Sequence, residues 1–128
     1  MEAKFTKQQQ NGWNYGIKKE LVSTWNVIVN DNGKLINLIT VRCYMGRSSS
    51  ASVVYATVWV HGDHYTSGTG KAAGYGYHKQ SAAIGDAIEN AGIEMSESIN
   101  ARGDSAITEA LEAIARAMGF ESCLIVRN

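Results

Sequence analysis

The run VSTWNVIVNDNGKLINLITVRCY, Val22 to Tyr44, constrains the fold of this chain more than any other stretch. Two β-rich segments flank Asp31-Asn32-Gly33. Asn-Gly accepts positive φ at both central positions of a tight turn, so the run reads as a β-hairpin. Alternation puts Leu35, Ile39, Val41 and Cys43 on one face, with Asn37 as a polar exception. It puts Leu38, Thr40, Arg42 and Tyr44 on the other. That second face is mixed, as expected where a sheet meets solvent or a ligand.

The rest of the chain extends this start. GRSSSAS, Gly46 to Ser52, reads as a loop. VVYATVWVH follows, with one stripe of Val54, Ala56, Val58 and Val60 and another of Val53, Tyr55, Thr57, Trp59 and His61. Gly62-Asp63 turns the chain, and HYTS is a further short strand. Sequential strands usually neighbour each other, which makes a four-stranded antiparallel meander the economical topology. Ile84, Ala87, Ile88 and Ala91 then repeat at helical spacing, and Gly92 supplies a stop. After the polar link EMSESINARG, Asp104 or Ser105 is a suitable N-cap for a second helix. That helix carries the stripe Ile107, Leu111, Ile114, Met118 and stops at Gly119. CLIVR is a closing apolar strand. The expected fold is α+β: four meandering strands, two helices packed on one face, and a short C-terminal strand.

A length of 128 residues fits one domain spanning 1–128, with the polar first twelve residues expected to be partly disordered. Twelve basic and twelve acidic residues cancel. That argues against duplex nucleic acid as a partner, which calls for a basic excess, and leaves self-association into a homo-oligomer open. No apolar run approaches bilayer-spanning length and no secretory h-region is present, so a cytoplasmic protein is expected, without a membrane partner. Cys43 and Cys123 sit in apolar runs and read as buried thiols, not as a disulfide framework. The chain has no proline, so its turns rely on Gly, Asn, Asp and Ser.

Three constellations could carry chemistry. In GTGKAAGYGYHKQSAA, Gly68 to Ala83, glycines precede two tyrosines, then Lys79 and Ser81 at the expected start of a helix. A helix N-terminus presents unpaired N–H groups and the positive end of the dipole, and glycines let backbone approach an anion. The Gly74–Gly76 backbone, His78, Lys79 and Ser81 could hold phosphate while Tyr75 and Tyr77 stack on a base. Neither a Walker A motif nor a dinucleotide fingerprint is completed, and a plain strand-to-helix joint is the competing reading. Arg42, Tyr44 and Arg47 form the second constellation, with guanidinium groups suited to phosphate and with Trp59 and His61 expected nearby. His61, Asp63, His64 and His78 form the third, read as surface turn residues more readily than as metal ligands or acid–base groups. Glu89, Glu94, Glu97, Glu109 and Glu112 read as solvated helix-face and link charges. No catalytic residue, metal or cofactor is assigned.

The strands-then-two-helices order and the GYGYHKQSAA stretch resemble the phage-encoded anti-Thoeris sponge proteins. The resemblance implies an oligomer that sequesters a cyclic nucleotide signal without degrading it. Tyr75 or Tyr77 would then be the pocket aromatic, and Arg116 is the one basic residue on the second helix. Phage S-adenosylmethionine lyases are also small and α/β, but their elements alternate where these do not. The expectation is a binding protein for a nucleotide-like, phosphate-bearing small molecule. One alternative is a small phage enzyme acting on a nucleotide or S-adenosylmethionine-like substrate through His78 or His61. Another is an interaction module that inhibits a host nuclease through Trp13, Tyr15 and Trp25.

Overall fold

Asn32 and Gly33 take φ values of 55° and 88°, the positive pair that a tight hairpin turn needs. The Gly33 N–H also donates to the Asn30 side chain at 2.7 Å. This turn joins β2 (Lys19–Asp31) to β3 (Lys34–Ser48). β4 (Ala51–Val60) and β5 (Thr66–Ala73) continue the antiparallel meander, and β7 (Leu124–Arg127) joins the other side, giving the order β5-β4-β3-β2-β7. α1 (Lys79–Asn90) and α2 (Asp104–Ala117) follow the meander. A separate ribbon pairs β1 (Ala3–Phe5) with β6 (Ile93–Met95). The computed structural model describes residues 1–6, 19–48, 51–73, 79–99 and 103–128. The architecture is the expected α+β arrangement, with the C-terminal strand incorporated as a fifth strand of the sheet.

One sheet face builds the core. Trp25, Val27 and Val29 of β2, Ile39, Val41 and Cys43 of β3, and Val54, Ala56, Val58 and Val60 of β4 are buried together. Ile84, Ala87 and Ile88 of α1 and Ile107, Leu111 and Ile114 of α2 close over them. These are the stripes that period 2 and period 3.6 predict.

Asn37 is not an exception on that face. The β2–β3 register slips between Val27 and Ile28, so that Ile39 faces Val27 but Asn37 faces Ile28. Leu38 is the extra residue of a β-bulge, which reverses the alternation on either side of it. Leu38 is therefore buried, while Leu35, expected inside, is 70% exposed.

Several boundaries also move. GRSSSAS is mostly strand: β3 runs through Ser48 and β4 starts at Ala51, with Arg47 opposite Ser52. The strand expected over HYTS lies further on, at Thr66–Ala73, and takes in Gly68 and Gly70. Neither Asp104 nor Ser105 caps α2; the N-cap is Gly103 at φ 90°, with no side-chain cap bond. Asp104 instead pairs with the Arg127 guanidinium of β7. Trp25, offered as an exposed interaction residue, is buried, and the Arg127 guanidinium lies 4.8 Å from its ring centroid.

The polar start contributes β1, which periodicity does not reveal in three residues. Thr6 N–H donates to Gly92 C=O at 2.8 Å, Ser96 N–H to Glu2 C=O at 2.8 Å, and Arg116 to Met1 C=O at 2.9 Å. Phe5 stacks on His64 with ring centroids 4.5 Å apart. Among the described residues, no helix is long and apolar enough to cross a membrane.

Candidate functional site

The sheet face turned away from the helices carries the clearest grouping of polar and aromatic side chains. Register places Thr69, Thr57, Arg42 and Thr24 in one row across four strands. The next row toward the hairpin turn holds Ser67, Trp59, Thr40 and Asn26. On the other side, Lys71, Tyr55 and Tyr44 make a third row. Arg42 thus sits on the middle strand among hydroxyls and aromatics. Its guanidinium carbon lies 5.9 Å from the Trp59 ring centroid, within cation–π range. Among the described residues no carboxylate pairs with it. Trp59 is 41% exposed, so one face of the platform is open.

The floor beside it is held in place. Asn37 Nδ2 donates to Asn26 Oδ1 and to Thr40 Oγ1, both at 3.0 Å, in one orientation of its amide; in the flipped orientation its oxygen accepts from the Thr40 hydroxyl at 3.0 Å and its nitrogen donates to the Val27 and Ile39 carbonyls. Either orientation ties Thr40 of the Trp59 row to Asn37.

Arg42, Tyr44 and Trp59, expected on one face, share it in the register, whereas His61, expected with them, lies just past the end of β4. Sequence reasoning missed Thr24, Thr57 and Thr69, because hydroxyls on three strands become neighbours only through a register that no single segment displays. Arg47 lies further along β3, beyond Met45 and Gly46. Gly74, Tyr75, Gly76, Tyr77 and His78 lie outside the described residues, as do Trp13 and Tyr15.

The glycine-rich stretch divides in two. Its first half is strand β5, and there the glycines serve packing. A Cβ on Gly68 would sit 2.2 Å from Ala87 O, and one on Gly70 would sit 2.3 Å from Ala87 N. Helix α1 rests directly on these two residues. Ser81 is buried, and its hydroxyl accepts from the Gly103 N–H at 3.2 Å, tying α1 to the start of α2. Lys79 opens α1, which has no acidic residue in its first turn.

Lys79 and Lys71 line one side of a cleft of about 830 Å3 between β5, α1 and β6, with Asp86, Glu89, Glu94 and Glu97 around the rest. Asp86 accepts from the Lys71 N–H at 3.0 Å, and Glu97 lies 3.4 Å from the Met1 ammonium. Four carboxylates against two ammonium groups make this cleft a poor host for phosphate. Arg42 does not line it, so the structure does not bring Arg42 and Lys79 into one cavity.

No group of three or more His, Cys, Asp or Glu is arranged to hold a metal ion among the described residues. Cys43, fully buried on the core face, has its thiol pKa pushed from 9.0 up to about 11 by desolvation, against a hydrogen bond with Ser23 and the Arg127 charge. Ser23 also donates to Gln80 Oε1 at 2.8 Å. Cys123 is half-buried, and its pKa is raised by the same cause. The chain matches no protein-family model, no curated protein and no solved structure.

Proposed function

We infer that this protein binds a nucleotide-like, phosphate-bearing small molecule on the outer face of its sheet and holds it without chemistry. The observation that carries this reading is Arg42, a half-buried guanidinium on the middle strand with no carboxylate partner among the described residues. A planar fork of donors suits a phosphate, and a half-exposed tryptophan beside it suits a base. Thr24 and Thr57 flank Arg42 on the two neighbouring strands and carry hydroxyls of the kind that bond phosphate or ribose oxygens. The resemblance to the anti-Thoeris sponges points the same way and makes cyclic nucleotides the first ligands to try, in a cytoplasmic setting.

Isothermal titration against a panel of cyclic and linear nucleotides tests it. The expected result is binding by the wild type, weakened about 10- to 100-fold in Arg42→Ala, since a charge-assisted hydrogen bond contributes about 1.5–3 kcal/mol. Trp59→Ala should weaken base-bearing ligands but not inorganic phosphate. Ligand recovered from denatured protein should be chemically intact. Equal binding by Arg42→Ala, or no binding across the panel, would sink the reading.

A further inference from the structure

The two edges of the main sheet are finished differently. At the β5 edge, α1 caps the outward peptide groups. Asp86 takes the Lys71 N–H at 3.0 Å and Asn90 Nδ2 donates to Thr69 C=O at 2.7 Å; the Thr66 side-chain hydroxyl ties the same strand to Ala91 C=O at 2.7 Å. Among the described residues nothing comparable covers β7. Thr24 and Asn128 exchange both of their peptide bonds, N to O, at 2.9 and 2.8 Å. Alternation then turns Val126 and Leu124 toward β2, and Ile125 and Arg127 outward. No described residue bonds those outward groups.

Bare edges are normally guarded by proline, lysine, a bulge or an outward charge. The LIVR of β7 has none of the first three. Its one charge is already engaged: the Arg127 guanidinium lies over Trp25 and pairs with Asp104. Leu124 is 61% exposed beside this edge.

The geometry points to a second copy of this chain as the occupant, joined β7 to β7 in antiparallel fashion about a two-fold axis. An outward row of peptide groups demands an extended strand, and an antiparallel strand edge is its own complement. With Val126 on the axis, Ile125 of each copy faces Arg127 of the other, and every outward N–H and C=O finds a partner. Arg127 is already neutralised within its own chain, and the zero net charge adds no repulsion between copies. The two Leu124 side chains come under cover on the same outer face. The result is one continuous sheet whose outer surface carries both Arg42 positions.

Sedimentation velocity and native mass spectrometry of the full chain test this, with two variants. Val126→Lys places like charges across the axis. The second is a semisynthetic chain ligated at Cys123 with N-methyl Ile125, which deletes one outward N–H and no inward bond. A dimeric wild type, with both variants monomeric and native by circular dichroism, is the expected result. A wild type that stays monomeric at all concentrations overturns the proposal, as does a dimer unaffected by N-methylation. Should Val126→Lys not fold, the N-methyl chain decides alone. Neither outcome depends on whether a nucleotide binds at Arg42.

Discussion

A methyl group on Gly70 would stand 2.3 Å from Ala87 N and 2.4 Å from Ala83 O, both backbone atoms of a helix packed against the core. Such atoms cannot swing aside as a side chain would, so the whole helix must lift. Gly70→Ala should therefore cost about 3 kcal/mol or more, at the upper end of overpacking effects. Gly33→Ala is the control, because its Cβ meets open space and only the positive φ is strained. It should cost about 1–2 kcal/mol, and urea unfolding of both variants would separate crowding from conformation. Cys43 offers a second test at this scale. Burial raises its pKa from 9.0 to about 11, so the folded state favours the neutral thiol. The stability this represents is fully present below the ordinary thiol value. It is lost as pH rises through the folded value, because only the unfolded chain can ionise easily across that window. The loss should total about 3 kcal/mol between about pH 8 and pH 12. In Cys43→Ala that part of the pH slope should vanish, whatever the constant cost of the missing sulfur. Equal slopes for the two proteins would show that desolvation of this thiol is not felt.

At the scale of elements, what the sequence displayed was what local periodicity controls. The hairpin turn at Asn32-Gly33, the α1 stripe from Ile84 to Ala91 and the α2 stripe from Ile107 to Ile114 are all where pattern puts them. What it hid depends on partners distant in the chain. The bulge at Leu38 is a property of how β2 meets β3, and its only local trace is the misplaced polar Asn37. Gly68 and Gly70 look like loop residues because glycine is rare inside strands; a helix lying on the strand supplies the reason for them. β1 and β6 have three residues each, too few for any period to show. The Arg42 site was half legible. Alternation alone set Arg42 and Tyr44 on one face, whereas its row of threonines needed the four-strand register. The α1–β5 edge gives a prediction here. Asp86→Ala removes the acceptor for the Lys71 N–H and leaves Asn90 as the nearest side-chain cap. The loss should be about 1 kcal/mol for a partly exposed bond, rising when Asn90→Ala is added. The double variant should also aggregate faster on mild heating, since it bares a sheet edge that the wild type covers. Light scattering during a thermal ramp would read this directly, and unchanged aggregation would mean that α1 shields the edge by bulk alone.

Over the whole molecule, the last strand closes what the first hairpin strand begins. β7 pairs with Trp25 to Ile28 across about a hundred residues of chain, so the sheet cannot be completed until β7 has arrived. Three interactions converge at that junction: the strand ladder, the Arg127 guanidinium over Trp25, and the pair of Arg127 with Asp104 at the start of α2. Arg127 therefore joins the sheet edge, the core tryptophan and the second helix in one side chain. Arg127→Ala should cost about 1–2 kcal/mol, the sum of a partly desolvated cation–π contact and an exposed ion pair. Arg127→Lys retains the charge but lacks the flat guanidinium, and should recover less than half of that. The kinetic expectation is sharper. Contacts of high sequence separation form late when loop closure must come first. If β7 docks after the transition state, Arg127→Ala should speed unfolding while leaving the refolding rate nearly unchanged. Stopped-flow chevrons followed by far-ultraviolet circular dichroism would show the unfolding limb raised and the folding limb superimposed on wild type. A slowed refolding limb instead would place β7 in the nucleus, and would mean that the meander is not stable enough to form before its closing strand.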